Sequence, residues 1–313
     1  MAGLARWLLS TSTAMNQQTI RKPVSLEGIG LHSGKQVSLT LLPAPTNTGI
    51  VFRSTDGDVV PAAPESVVDS HYATTIGRNG FRVQTVEHLL AAAAGLGIDN
   101  LTVEIDGSEV PAGDGSAKPF VAILNAAGRV TQGAPRRPVS IPYPIRVGTG
   151  GRWLSIVPSK TFRISYTLDN DHPAIGTQVL SCVPTEKAFA EEFAAARTYG
   201  FLDHVGMLRR IGLARGGSLE NTVVVAKSGV LNGLRYRDEF VRHKILDLIG
   251  DLCLLGRPVL GHVIARNAGH ALNFELVLAI QRALGLERRP VGATAPAWAA
   301  LPASGLTPAT ATA

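Results

Sequence analysis

Apolar residues recur along this chain in two rhythms, and the switch between them separates short strands from a few helices. In the first half, QVSLTLLPA, GIVFRS, ATTIG, FRVQT and NLTVEID show the alternating or short apolar runs of strands. VEHLLAAAAGLG and KPFVAILNAAG instead place apolar side chains three and four apart, which predicts helices. The second half repeats the style, with strands at WLSIVPS, FRISYTLD and TVVVA and helices at EKAFAEEFAAA and DEFVRHKILDLIGDLCLLG. Each half thus predicts a sheet covered by two helices, without any short-period sequence repeat.

A Gly/Pro/Arg stretch, TQGAPRRP (131–138), reads as an exposed linker between an N-terminal α+β domain, 16–130, and a C-terminal one, 139–286. Residues 1–15 read as a disordered extension or a misassigned start, because MAGLARWLLSTSTA contains only a short apolar patch. Residues 287–313, rich in Ala, Pro and Thr and without a period, read as a disordered tail. A length of 313 residues suits two domains.

Charge narrows the partners. Thirty Lys and Arg against 24 Asp and Glu leave a net charge of +6, scattered without a basic block, which favours a small anionic substrate over nucleic acid. No run of 18 apolar residues predicts a membrane-spanning helix, so no stable membrane insertion is expected. The two cysteines, Cys182 and Cys253, lack CxxC spacing and suit a reducing, cytoplasmic setting. A monomer is expected.

The chemistry concentrates in HKILDLIGD, where His243, Asp247 and Asp251 stand four apart and project from one face of a helix otherwise covered by Ile and Leu. Buried carboxylates are costly unless paired or bound to a cation. Two readings follow: a buried His/Asp pair with Asp251 at the helix end, or a metal held by His243 and Asp247 with Asp251 orienting a neighbour. In TVEHLLAAAAGLG, Thr85 is the expected N-cap, placing Glu87 and His88 in the first turn. Alone, Glu87 would simply favour the helix dipole and His88 would be a core histidine. Combined with His243 and Asp247, His88 completes a His2Asp set with an open position, as catalytic zinc requires. Glu87 then stands beside the metal but not on it, suited to take a proton from the attacking water. His270 in GHALNFEL opens a further helix and is a candidate general acid. Thr198 in ARTYGF offers a hydroxyl to a developing oxyanion. Each of these two could equally be a helix cap or a turn hydroxyl.

Six motifs, GIGLHSG (28–34), TVEHLLAA (85–92), EVPAGDGSA (109–117), ARTYGF (196–201), DEFVRHKILDLIGD (238–251) and GHALN (269–273), occur in an order that resembles the UDP-3-O-acyl-N-acetylglucosamine deacetylases, zinc amidases of lipid A biosynthesis. The resemblance spans about residues 16–285. It implies two domains of β-α-α-β layers packed face to face, with the active site at the interface. It implies His88, His243 and Asp247 as zinc ligands, ferrous iron being the alternative metal, and Glu87 as general base. Thr198 would stabilise the oxyanion, His270 would assist departure of the nitrogen, and Asp251 would orient His270. Lys244 would contact the UDP-linked acylated glucosamine near its diphosphate, and Tyr199 the sugar pocket. The acyl chain would lie in a passage built by about residues 202–234, with Leu31, Val205 and Gly217 in its lining. Two departures stand out: Ala73 replaces a cysteine common in the family near the metal, and Tyr199 replaces phenylalanine. The implied reaction releases acetate and the free 2-amino sugar nucleotide. A binding protein that kept the fold without catalysis, or an amidase acting on another acylated amine, are the alternatives.

Overall fold

Val37, Leu39 and Leu41 of QVSLTLLP are buried and their neighbours are not, and the same alternation recurs at Ile164, Tyr166 and Leu168 of RISYTLD. Such strands turn one face to a core. The computed structural model describes residues 15–286, so the expected extension, apart from Met15, and the expected tail lie outside the described residues.

The first strand of the pair belongs to a five-stranded sheet with the spatial order Val24–Ile29, Gln36–Pro43, Leu101–Ile105, Ile50–Ser54 and Val59–Pro61. The second belongs to a sheet ordered Ile145–Thr149, Arg152–Val157, His262–Arg266, Arg163–Asp169 and Thr177–Cys182. In chain order both sheets run first, second, fifth, third, fourth, and in both the third and fifth strands are the parallel pair. Phe52 stands opposite Val103 in one and Tyr166 opposite Ala265 in the other. The duplicated architecture suggested by the apolar rhythm is therefore present in the strand topology.

A parallel pair needs a crossover. In the first half the crossover carries helix α1 (Glu87–Gly95), and α2 (Lys118–Ala127) follows the fifth strand. In the second half a short α3 (Glu186–Ala188) leads into a π-helical turn, Phe189–Phe193, and α4 (Leu202–Arg210) and α5 (Glu239–Cys253) complete the crossover. Helix α6 (His270–Leu284) follows the fifth strand and ends at Gly285, whose φ of 60° suits glycine. Helix α1 touches α2 and α5, α5 touches α6, α2 lies on Val24–Ile29, and α6 lies on Ile145–Thr149 and Arg152–Val157. The two crossover helices thus meet in the middle.

Small residues allow that meeting. Ala91, Ala92 and Ala93 are fully buried in α1, and Gly250 of α5 sits where a Cβ would lie 2.1 Å from the Glu87 carbonyl oxygen. Each crossover also carries a three-stranded sheet: Val67–Asp69, Thr75–Arg78 and Phe81–Val83 before α1, and Tyr199–Phe201, Val223–Ala226 and Gly229–Val230 before α5.

Two local expectations change. Most of the stretch read as an exposed linker is strand: Arg129–Pro135 pairs antiparallel with Asn16–Ile20. Gln132 accepts from Asn100 and donates to the Ala44 carbonyl, so polar side chains read as solvent-facing hold the segment in place. The helix expected over EKAFAEEFAAA exists only as a three-residue α turn and the π turn. Among the described residues no helix is long and apolar enough to cross a membrane.

Candidate metal centre

The contact between α1 and α5 brings three potential ligands from distant parts of the chain together. His88 Nε2 lies 3.6 Å from Asp247 Oδ1 and His243 Nε2 lies 3.3 Å from the same oxygen. The two imidazole rings stand nearly perpendicular, with centroids 5.1 Å apart. One donor atom from each residue lies within 4.8 Å of the others, and all three residues are buried.

The surroundings prepare these atoms for a cation. His243 Nδ1 donates to the Ala196 carbonyl at 3.1 Å, which leaves Nε2 as the free lone pair. Burial pushes the His243 pKa down to about 4, so the ring is neutral, as a ligand must be. Burial alone would raise the Asp247 carboxyl, but His243 and Lys244 outweigh it and hold the group well below the usual range. Its Oδ2 accepts from Lys244 Nζ at 2.7 Å, whereas Oδ1, facing both histidines, is buried without a hydrogen-bond partner. A buried carboxylate oxygen left unpaired between two imidazoles fits a divalent metal bound by two nitrogens and one oxygen.

Around this set stand the other expected groups. Glu87 opens α1, buried, and its Oε2 accepts from the Thr74 backbone N–H at 3.0 Å. Burial raises its pKa, with His270 pulling most strongly the other way. Val86 occupies the cap position, with no side-chain cap, so Thr85 is not the N-cap expected from its residue type. Its φ is 59° and its hydroxyl donates to Glu109 instead.

His270, the first residue of α6, points Nδ1 at Asp251 Oδ2, 2.8 Å away, and its Nε2 lies 3.9 Å from Glu87 Oε1 and 3.8 Å from Asp247 Oδ2. Burial would lower its pKa, but Asp251, Glu87 and Asp247 together raise it to about 9. Asp251 also accepts from Asn273 Nδ2 at 2.8 Å and from the Thr74 hydroxyl at 2.6 Å.

The remaining expected residues sit at graded distance. Thr198 follows two residues after the carbonyl that holds His243, with its backbone fixed by the Gly115 carbonyl and the Val223 N–H. Tyr199 packs edge-on to Phe240 and has its ring centroid 6.5 Å from that of His243. With Lys244, Arg152 and Gly269 it lines a cleft of about 420 Å³. Leu31 and Gly217 are neighbours, since the Leu31 carbonyl accepts from Gly216. Val205 is half-buried on α4, which packs on Tyr199–Phe201 and Val223–Ala226. A larger cleft of about 560 Å³ opens at the far ends of α1 and α5 and holds none of these residues.

Several contributors carried no sequence signal. Thr74 ties Glu87, through its backbone N–H, to Asp251, which its hydroxyl reaches across 177 positions. Buried Arg197 binds Glu239 through Nε at 2.9 Å and a terminal nitrogen at 3.1 Å, pinning the segment of Ala196 and Thr198 to the start of α5. His32 is buried with Nε2 unpartnered. Only its presence in GIGLHSG could have marked it.

A model of the family UDP-3-O-acyl N-acetylglycosamine deacetylase matches residues 17–282. A protein named UDP-3-O-acyl-N-acetylglucosamine deacetylase from Myxococcus xanthus (strain DK1622) is 53% identical over 270 residues, covering 85% of this chain and 86% of that protein. One of the same name from Oleidesulfovibrio alaskensis (strain ATCC BAA-1058 / DSM 17464 / G20) is 51% identical over 264 residues, 83% of this chain and 87% of the relative. Another, from Syntrophotalea carbinolica (strain DSM 2380 / NBRC 103641 / GraBd1), is 48% identical over 266 residues, 83% and 86% of the two chains. Likeness at that level, running through both five-stranded sheets and through α1 and α5, makes this chain a member of the UDP-3-O-acyl N-acetylglycosamine deacetylase family.

Proposed function

We propose that the protein hydrolyses the N-acetyl group of UDP-3-O-(3-hydroxyacyl)-N-acetylglucosamine, giving acetate and UDP-3-O-(3-hydroxyacyl)-glucosamine, an early step of lipid A biosynthesis. The observation that carries this reading is the unpaired Asp247 Oδ1 between two histidines, with Glu87 and His270 beside it. We read the two halves as two domains, 16–130 and 139–286, packed through α1 and α5 with the site at their interface. The shared strand order and the α1–α5 contact support that division.

Two imidazoles and a carboxylate suit zinc, or ferrous iron, over magnesium or calcium. His88, His243 and Asp247 would hold such a cation, which would supply Lewis acidity towards the acetyl carbonyl. Glu87 takes the proton of the attacking water, and the Thr74 N–H fixes the carboxylate on one side for that transfer. Thr198 donates its hydroxyl to the oxyanion. His270, kept cationic by Asp251, stabilises the same charge and delivers a proton to the departing nitrogen. Asp251 does no chemistry itself: accepting from His270 Nδ1 turns Nε2 towards the reacting atoms.

Lys244 and Arg152 bring two cations to the cleft that Tyr199 also lines, which suits a diphosphate beside the sugar. Around α4 the chain exposes Leu202, Met207, Ile211, Leu219 and Leu231, an apolar region that suits the acyl chain, with Leu31, Val205 and Gly217 towards the site. The enzyme is read as a cytoplasmic monomer. Acetate release from substrates with and without the 3-O-acyl chain tests the assignment. Strong preference for the acylated substrate is expected; equal rates would point to an amidase for another acylated amine.

A further inference from the structure

Glu109 is 2% exposed, and its carboxylate accepts from the His32 N–H and the Ser33 N–H, each at 2.7 Å, and from the Thr85 hydroxyl at 3.0 Å. Room is made for it at Gly30, where a Cβ would lie 2.3 Å from Oε2. A carboxylate held this way joins three segments far apart in sequence: the Gly30–Ser33 turn, the strand bridge of Gln84 with Glu109, and the entry to α1. Carboxylates are costly to bury, so a fully bonded one sets geometry tightly.

What it holds is out of the ordinary. Thr85 has a φ of 59°, in the left-handed region that a β-branched residue adopts only when its surroundings keep it there. The chain then passes through Val86, whose N–H reaches the Thr74 carbonyl at 3.3 Å, into the first helical bond, from Leu90 N–H to the Val86 carbonyl at 3.0 Å. Glu87 and His88 follow immediately. Rotation at Thr85 would therefore swing both side chains. We propose that Glu109 is a positioning residue for the deacetylation: by holding the Thr85 hydroxyl it fixes the left-handed turn that aims Glu87 and His88. The inference rests on the roles assigned above to those two residues.

The full-length metal-loaded protein provides the test through Glu109→Met, which removes the acceptor at similar length, and Thr85→Val, which keeps the shape and removes only the hydroxyl. Thr85→Ser keeps the donor and should retain activity. Both disruptive variants should lower kcat about tenfold or more while KM stays within about twofold, since misplacing a reacting group mainly costs turnover. Hydrogen exchange on the metal-free proteins should show faster exchange at Val86 and Leu90, with protection kept in α5 and both large sheets. Unchanged kcat and exchange in Thr85→Val would overturn the proposal. So would protection lost throughout the chain with kcat per folded molecule intact, because Glu109 would then serve stability alone. Thr85→Val decides the matter if Glu109→Met does not fold. Glu87→Gln run in parallel separates the two layers: full activity there removes the site reading and this proposal with it, whereas impairment of Glu87→Gln with normal Thr85→Val removes only the proposal.

Discussion

Asp251, in the last turn of α5, accepts a hydrogen bond at 2.8 Å from Nδ1 of His270, the first residue of α6. That bond leaves Nε2 facing Glu87 and Asp247, the side on which the proposed reaction would take place. Burial alone would push His270 down, and Asp251 leads the charges that lift it to about 9. In the proposed mechanism the protonated ring is the working form, so activity should hold below that value and fall as pH rises through it. Asp251→Asn removes the main raising charge and should move the basic limb of kcat/KM to lower pH. An unmoved limb would separate it from His270.

Glu87 has Oε1 3.9 Å from His270 Nε2 and Oε2 on the Thr74 N–H, and the proposed mechanism makes it the base rather than a ligand. Glu87→Gln should keep the metal while turnover falls about 10²- to 10⁴-fold, the range for a lost general base. Metal analysis beside single-turnover kinetics checks both halves of the statement. Lost metal would make Glu87 a ligand.

Lys244 Nζ bonds Asp247 Oδ2 at 2.7 Å, and the carboxylate's attraction keeps the ammonium charged against the cost of burial. Removing the ammonium frees one oxygen of a proposed ligand whose other oxygen faces the histidines. Lys244→Met should weaken metal binding about 10- to 100-fold, as loss of a ligand's supporting bond commonly does. Competition with a chelator measures it, and unchanged affinity would leave Lys244 with the substrate alone.

Spacing within one helix made part of this site legible. His243, Asp247 and Asp251 could be placed on one face because helical geometry fixes i, i+4 neighbours, and His88 beside Glu87 followed from the first turn of a recognisable helix. Contacts between elements were not legible. Thr74 looked like any strand residue until its hydroxyl met Asp251, and the Arg197–Glu239 pair exists only because α5 lies against the ARTYGF segment. Thr85 misled because residue type suggests a cap, while the positive φ that gives it a different task is a backbone property set by Glu109. The Arg129–Pro135 strand was hidden by Gly133 and Pro135, residues that loops favour and that an edge pairing with Asn16–Ile20 accommodates.

Gly250 owes its place to the crossing of α1 and α5. A methyl group there would stand 2.1 Å from the Glu87 carbonyl oxygen, an atom of backbone that cannot turn aside. Gly250→Ala should cost about 1–3 kcal/mol of stability, as overpacking does, and should lower activity by more than the loss of folded protein explains. Denaturant melts and kcat per folded molecule check the two effects. Normal values of both would show the helices free to part.

Metal titration of the metal-free protein, with acetate release followed at each step, tests the central claim most directly. For the parent chain, one zinc per molecule should restore hydrolysis of UDP-3-O-(3-hydroxyacyl)-N-acetylglucosamine, and Asp247→Ala should lose tight binding and activity together, because it removes one of the three proposed ligands. A metal-free parent with full activity, or an Asp247→Ala protein that binds one zinc as tightly and works as well as the parent, would contradict the account.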